Sequence, residues 1–383
     1  MKFTVKYLSI VLFLSISVLC ISFGGQKAEW KGKIEVEDGV KVIKNPKEPM
    51  YGEDVFGLEE ELSIETKEIS QTEETFQKIV SLAIDDKGNI FILDKKAGNI
   101  KIFDKNGKSL KTIGRKGEGP GEFGAPERCA FTPNNELYVY DSGRRIIHIF
   151  NIDGEFKREV PVSMPFFEGP KFTSKGEIIA SHGVMGEKPF FELKKFDSEM
   201  SPILSFTSIP MLKPPKVHVF VYLTASDLKW DVSSRDEIIW GIMTTPEYEL
   251  FVHNEDGKYI KRITKEFTPV KLSKKEYKKL MTKWFGKVPT FDRWDLIIPD
   301  NYPPFQLFIV DDEGRIFVKR FMEVEKSDNH HFDVFDEEGK YITNIILDSK
   351  FQFGIFKNKK LFSIEEDEDG YQYVKRYKVT WKY

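Results

Sequence analysis

Short apolar stretches separated by polar turns run along most of the chain. Within a stretch the apolar residues alternate with polar ones or follow one another directly, as at 79–84 (IVSLAI) and 146–150 (IIHIF), and they lack the spacing of a helix face. Such patterns predict β-strands. The chain is therefore expected to be an all-β protein.

A turn followed by a short apolar strand recurs six times, and its copies begin at 85, 132, 173, 233, 311 and 356. A second pattern, an aromatic residue and an acid or amide before a turn, follows most copies: FDKNGK from Phe103, FNIDGE from Phe150, HNEDGK from His253 and FDEEGK from Phe335, with FDSEMS from Phe196 as a degenerate form. Asn-Gly and Asp-Gly pairs favour hairpin turns. A unit of this size with four strands is typical of a propeller blade.

We therefore predict a six-bladed β-propeller with four-stranded blades, spanning residues 57–383. The strands of the first blade are expected near 79–84, 89–94, 100–103 and 109–113. The last unit shows only three strands, so the segment 62–70 (LSIETKEIS) is expected to supply the fourth and close the ring, which leaves no free sheet edge between the chain termini. Residues 25–56 are expected to form an extended lead-in.

Two long gaps between the copies predict insertions. One covers about 210–225; the other contains SKKEYKKLMTKWFGKV at 273–288, whose apolar spacing predicts one helix between the fourth and fifth blades. Leu280, Trp284 and Phe285 are expected to pack on the propeller over the channel mouth. The lysines at 274, 275, 278 and 279 are expected to face solvent.

The N-terminus indicates export. Lys2 and Lys6 precede an uncharged, mostly apolar run and then a polar chain, which is the layout of a signal peptide at 1–24. A lipid anchor on Cys20 and an uncleaved helix remain alternatives. The protein is then periplasmic, displayed on the cell surface or secreted. Without Cys20, Cys129 is the one remaining thiol, so we expect no internal disulfide and a buried, structural Cys129.

Residues 79–131, IVSLAIDDKGNIFILDKKAGNIKIFDKNGKSLKTIGRKGEGPGEFGAPERCAF, resemble an NHL repeat, including the Gly-rich segment GRKGEGPGEF at 114–123. The rest of the chain is similar to exported bacterial six-bladed propellers related to that family. The resemblance implies the same fold. It also leaves a metal site open, because metal-dependent lyases and lactonases occur on such propellers with ligands from separate blades.

Individual motifs favour structural roles. GRKGEGPGEF is followed by a strand rather than a helix, which favours a connector between blades over a phosphate-binding loop. Asp94 and Asp141 end second strands and are expected to cap turn amides, with ligand contact as the alternative. EEDEDG at 365–370 lacks the spacing of a calcium-binding helix pair and is expected to be a hairpin tip.

Basic residues form the most suggestive cluster. Connectors between blades and the loops between second and third strands leave a propeller on the same face, so these side chains are expected around one mouth of the channel, where they suit an anionic ligand. The alternative is solvated surface charge or salt bridges. The predicted ligand-binding residues are Arg115, Arg128, Asp141, Arg144, Arg145 and His182.

These observations predict a non-catalytic exported scaffold, most simply a monomer, that presents a loop-rich face to a protein or a small anionic ligand. The net charge of −3 disfavours nucleic acid as a partner. No nucleophile motif is present and no cofactor is expected. A metal-assisted lyase or hydrolase at the channel mouth, with a divalent metal, is the alternative function. The two insertions, near 210–225 and 273–304, are the alternative recognition surface.

Overall fold

The computed structural model describes residues 28–65, 76–163, 166–211, 216–219, 226–285, 295–322 and 327–383. The predicted signal peptide at 1–24 lies outside these residues. The described chain contains six sheets that form the six blades, each built on four antiparallel strands. The all-β six-bladed propeller is thus confirmed. No helix in the described ranges is long and apolar enough to cross a membrane.

Three strands precede the first complete blade: β1 (Lys33–Glu37), β2 (Val40–Asn45) and, after a 3-10 turn at Glu53–Val55, β3 (Phe56–Ile64). The first blade contains β4 (Ile79–Ile84), β5 (Ile90–Asp94), β6 (Asn99–Phe103) and β7 (Ser109–Ile113). The second contains β8 (Pro126–Phe131), β9 (Leu137–Asp141), β10 (Ile146–Phe150) and β11 (Phe156–Pro161). The third contains β12 (Phe166–Phe172), β13 (Ile178–Val184), β14 (Phe190–Phe196) and β15 (Pro202–Pro210).

A short strand, β16 (Lys216–His218), follows the third blade. The fourth blade contains β17 (Leu228–Val232), β18 (Ile238–Ile242), β19 (Glu249–His253) and β20 (Tyr259–Lys265). Helix α1 (Lys274–Phe285) and strand β21 (Asp295–Ile297) come next. The fifth blade contains β22 (Leu307–Val310), β23 (Ile316–Lys319), β24 (His330–Phe335) and β25 (Tyr341–Leu347). The sixth contains β26 (Phe351–Lys357), β27 (Lys360–Glu366) and β28 (Gln372–Trp381), with β3 at its outer edge.

The pairing of β3 with β28 closes the ring. It runs from Ile64 opposite Val374 to Phe56 opposite Trp381. The closing strand therefore begins and ends six residues earlier than the predicted 62–70. The lead-in contains a hairpin, β1 and β2, and β2 pairs in parallel with β20, so the fourth blade becomes a six-stranded sheet.

Turn chemistry fixes the hairpins. The Asp85 carboxylate accepts the amides of Lys87 (2.9 Å) and Asn89 (2.7 Å), and Asp104 does the same in the next turn of the first blade. These are Asx turns, in which a side chain replaces a backbone acceptor. Gly88 closes the first turn at φ +83°, a conformation that L side chains rarely adopt. We call the end of the propeller that carries the first–second and third–fourth strand turns the turn face.

The opposite end is the loop face, which carries the second–third strand loops and the connectors between blades. Helix α1 lies there, because buried Leu280 and Met281 belong to the same apolar cluster as Met243 and Phe321, which follow β18 and β23. This confirms the predicted face; the position over the channel mouth stays a prediction. The lysines at 274, 275 and 278 are exposed and that at 279 is half-buried, whereas the side chains of Trp284 and Phe285 lie outside the described part.

Six buried apolar clusters lie between neighbouring blades. The cluster at the closure joins Phe362 and Val374 of the sixth blade to Ile90 and Phe103 of the first, and it includes Ile64 of β3. Cations add polar contacts on the turn face: Lys195 Nζ donates to the Glu255 carbonyl (2.8 Å) and Lys261 Nζ to that of Glu337 (3.1 Å), each in the next blade. Every blade is thus stabilised from both sides.

Ring closure should control cooperativity. A chain that begins at residue 66 lacks β3, so the sixth blade loses its outer strand and the apolar cluster shared with the first blade loses Ile64; we expect the single thermal transition to be lost or broadened. A chain that begins at residue 46 loses only the β1–β2 hairpin and should keep one transition at a lower midpoint, since buried Ile43 and Asn45 are removed. Calorimetry distinguishes them; equal midpoints would show that β3 does not close the ring.

Candidate functional site

Asp141 organises the loop face of the second blade. It ends β9 with no exposed surface and accepts the backbone amides of Gly124 (2.6 Å), Ala125 (2.9 Å) and Arg144 (3.1 Å). Asp94 has the same role in the first blade, where it accepts the amides of residues 77, 78 and 97. Both carboxylates cap turn amides, as the repeat position predicts.

His148 lies beside this carboxylate. Its ring is fully buried, with Nε2 3.8 Å from Asp141 Oδ2 and Nδ1 3.5 Å from Glu159 Oε1. Burial raises the pKa of Asp141, but the contact with His148 and the hydrogen bonds from Ala125 and Gly124 outweigh it and lower the pKa to about 2. Asp141 is therefore ionised at neutral pH.

Arg144 fastens the Gly-rich connector to the second blade. Its Nη1 donates to the carbonyls of Gly119 (3.1 Å) and Glu122 (2.9 Å) and lies 3.2 Å from Glu159 Oε1. Arg115 is mostly exposed but forms an ion pair with Glu122 at 2.6 Å. The guanidinium groups that converge here are thus bound to groups of the protein itself, which supports the salt-bridge alternative for Arg115 and Arg144.

The connector packs through Phe123, which is fully buried. A Cβ on Gly114 would lie 2.3 Å from the Phe123 ring, and Gly114 adopts φ +71°, so both space and backbone conformation require glycine there. The segment joins β7 to β8 and opens no helix, so the predicted connector is confirmed. Cys129 lies in β8, where it is buried as predicted, and burial raises the pKa of its thiol to about 12.

The other predicted residues make different contacts, although Arg145 directly follows Arg144 in the chain. Arg128, in the innermost strand β8, packs on Gly169 of β12, because a Cβ on that glycine would lie 2.1 Å from Arg128 Cγ. The exposed Arg145 contributes its carbonyl, which accepts the Val162 amide at 2.8 Å. His182 is buried in β13 with Nε2 3.6 Å from Glu192; burial lowers its pKa, although Glu192 opposes the change.

The structure therefore brings Arg115, Asp141 and Arg144 together, and their roles as ligand-binding residues stay a prediction. Within the ranges that the structure describes, no three His, Cys, Asp or Glu side chains form a group that could hold a metal ion. Within EEDEDG, Asp367 accepts the amides of Asp369 (3.0 Å) and Tyr371 (2.8 Å), which is the geometry of a hairpin tip.

Several exposed apolar side chains of the loop face were not predicted from the sequence. Met185, Ile298 and Tyr371 are 73%, 47% and 56% exposed, and Ile297 and Leu307 are also exposed. A recess of about 440 Å³ lies at the loop-face end of the third blade, whose β13–β14 loop carries Met185, and is lined by Lys188, Pro189, Phe190, Ser208, Pro210 and Met211. For Met185 and Tyr371 the available signal was an apolar residue in a second–third strand loop, where the first two blades have the polar loops KKAG and SGRR.

Fold and blade pairing define the chain as a six-bladed β-propeller. Residues 35–171, about a third of the chain, match a family described as 6-bladed beta-propeller (DUF5128). No curated protein matches the sequence significantly.

Among solved structures, a Bacteroides fragilis protein named as exported is similar with a TM-score of 0.57 at 11% identity, covering 89% of this chain and 100% of its own. A Bacteroides vulgatus member of the DUF4221 family has a TM-score of 0.48 at 12% identity, with coverages of 86% and 100%. A gluconolactonase of Xanthomonas campestris has 0.45 at 13% identity, with coverages of 80% and 87%. Likeness at such identity shows the fold alone.

Arg144 should contribute to stability more than its neighbour. Arg144→Ala removes the side-chain donor to the Glu122 carbonyl and a cation from the Glu159 carboxylate, whereas the Gly119 carbonyl still accepts the Glu122 amide (3.0 Å); we expect a loss of about 1–3 kcal/mol. Arg145→Ala removes an exposed side chain and should change stability by less than about 0.5 kcal/mol. Urea unfolding of both variants checks this; equal effects would show that the Arg144 contacts contribute nothing to folding.

Asp141→Asn should lower stability in a pH-dependent way. Because the folded pKa is about 2 and the unfolded value about 3.9, the ionised carboxylate stabilises the fold above pH 4, and this contribution disappears as the pH falls to 2. We expect the variant to be about 2 kcal/mol less stable at pH 6, with the difference closing near pH 2. Asp153→Asn, at an exposed turn tip, is the control; a difference independent of pH would contradict the role of the charge.

Proposed function

We propose that the protein is an exported, non-catalytic scaffold whose loop face binds a protein partner. The proposal rests on one observation: the long connectors between blades and a group of exposed apolar side chains occur together at the loop face. The two longest connectors, 211–227 and 266–306, both begin and end at the loop face, and their described parts include β16, α1 and β21.

These connectors are joined to each other and to the core. Strands β16 and β21 pair in parallel, with Val217 opposite Leu296, although they lie on either side of the fourth blade in the sequence. Val219 and Met281 are fully buried in the cluster that also joins the fourth and fifth blades. Tyr302 is buried there as well and donates to Glu276 of α1 at 3.2 Å. The platform, residues 216–219, 272–282 and 295–305, is therefore a preorganised extension of the ring, which lowers the entropic cost of binding.

Exposed apolar side chains favour a protein as the partner. Among the described residues, the large apolar side chains that are exposed include five of the loop face: Met185, Ile297, Ile298, Leu307 and Tyr371. The others lie on outer strands and at the C-terminus, where Tyr383 stacks on Tyr51 at 5.0 Å. Apolar groups with a neighbouring recess suit the anchor side chains of a protein interface. Metal-assisted catalysis stays an untested alternative.

Photo-crosslinking in the source cells tests the proposal. A photoreactive residue at 185 or 298 should give specific adducts with one protein, because both positions lie on the loop face. The same residue at 153 or 198, exposed turn-face positions, should give none. The double variant Met185→Ser, Ile298→Ser should weaken binding of the captured protein at least tenfold without changing the unfolding midpoint. Adducts only at 153 or 198, or none anywhere, would refute the loop face as the binding surface.

A further inference from the structure

A second cleft lies on the turn face, where the sixth blade meets the first. Its volume is about 240 Å³. It is formed by both turns of the first blade, the β26–β27 turn and side chains of β27 and β28. The lining residues are Asp86, Lys87, Gly88, Lys105, Asn106, Lys357, Asn358, Lys360, Phe362 and Arg376.

Five of the lining side chains are cationic, and they outnumber the acids that face them. Asp86 forms an ion pair with Lys357 at 3.0 Å. Glu61, on β3, binds both Lys360 and Arg376, the latter at 3.0 Å. No acid of the described chain lies within ion-pair distance of Lys87 or Lys105, although Asp104, which caps its own turn, interacts at longer range with Lys105 and with Lys108 beside the cleft. Because the whole chain carries a net charge of −3, this positive excess is a local feature.

The cations are held on rigid supports. The Asx turns of Asp85 and Asp104 fix the tips that carry Lys87 and Lys105. The two turns also touch, since a Cβ on Gly88 would lie 3.4 Å from the Lys105 Cβ. Arg376 donates to the Lys105 carbonyl, and this bond joins β28 to the first blade. A site assembled on fixed turns needs little reorganisation to receive a ligand.

We propose that this cleft binds a doubly charged tetrahedral oxyanion, the phosphate group, either free or as an organic ester. Lys87 and Lys105 would supply two ammonium groups from one side of the cleft. On the other side, Arg376 and Lys360 share the single carboxylate of Glu61, so their two positive charges are only partly neutralised. A dianion balances the positive excess better than a monocarboxylate does, and charge-assisted hydrogen bonds to its oxygens are the strong kind. Phe362, buried beneath the cations, gives the cleft an apolar floor for the organic part of an ester.

Isothermal titration of the purified protein tests the site, with inorganic phosphate, glucose 6-phosphate and acetate as probes at constant ionic strength. The test variant is Lys87→Gln, Lys105→Gln. The control is Lys96→Gln, which removes an exposed lysine of the same blade on the loop face. Neither variant should shift the unfolding midpoint, because none of these lysines forms an ion pair in the described structure.

Saturable binding of phosphate by the wild type and by Lys96→Gln, at least tenfold weaker in the double variant and weaker still at high salt, is the expected result. Tighter binding of glucose 6-phosphate would identify an ester as the ligand, and equal or weaker binding would identify free phosphate. Absence of saturable binding, equal losses in both variants, or acetate bound as tightly as phosphate would each overturn the proposal.

Discussion

The structure depends on each blade burying apolar side chains against two neighbours at once. Six apolar clusters fill the six blade interfaces, so an open end would expose one of them to water. The chain resolves this by pairing β3, from before the first blade, with β28, from the last. The β3–β28 pairing and the apolar cluster around Ile64 thus both close the ring. A closed ring also keeps the other blade interfaces buried.

Closure also makes one blade interface unlike the others on the turn face. In the sixth blade the third and fourth strands come from opposite ends of the chain, so no turn joins them. Arg376 of β28 still bonds the first blade through the Lys105 carbonyl, much as Lys195 and Lys261 bond the blades that follow theirs. The cations of the turn-face cleft surround that contact.

The turn repeats contained most of the information on the blades. The predicted strands of the first blade differ from the observed ones by at most one residue, because Asp85 and Asp104 fix each turn locally. The closing strand was placed six residues too late. Its central acids, Glu59 to Glu61, resemble a solvated loop in sequence. In the structure they pair with distant cations, such as Lys375, which is 315 residues from Glu60 in the chain and 2.7 Å from it in space.

The candidate site was harder to predict for a related reason. The acceptors of Arg144 are two backbone carbonyls and Glu159, which the chain brings together only when the Gly-rich connector folds over β11. The sequence shows that an arginine is charged, but not which carbonyls it will contact in the fold. A structural arginine therefore cannot be distinguished from a ligand-binding one by sequence alone. Local side-chain caps fix the turns of the first five blades, whereas connectors range in length from 348–350 to 266–306 while the ring is kept. New recognition surfaces can therefore arise in the connectors at little cost to stability, and in this chain the longest connectors are the ones that build the platform.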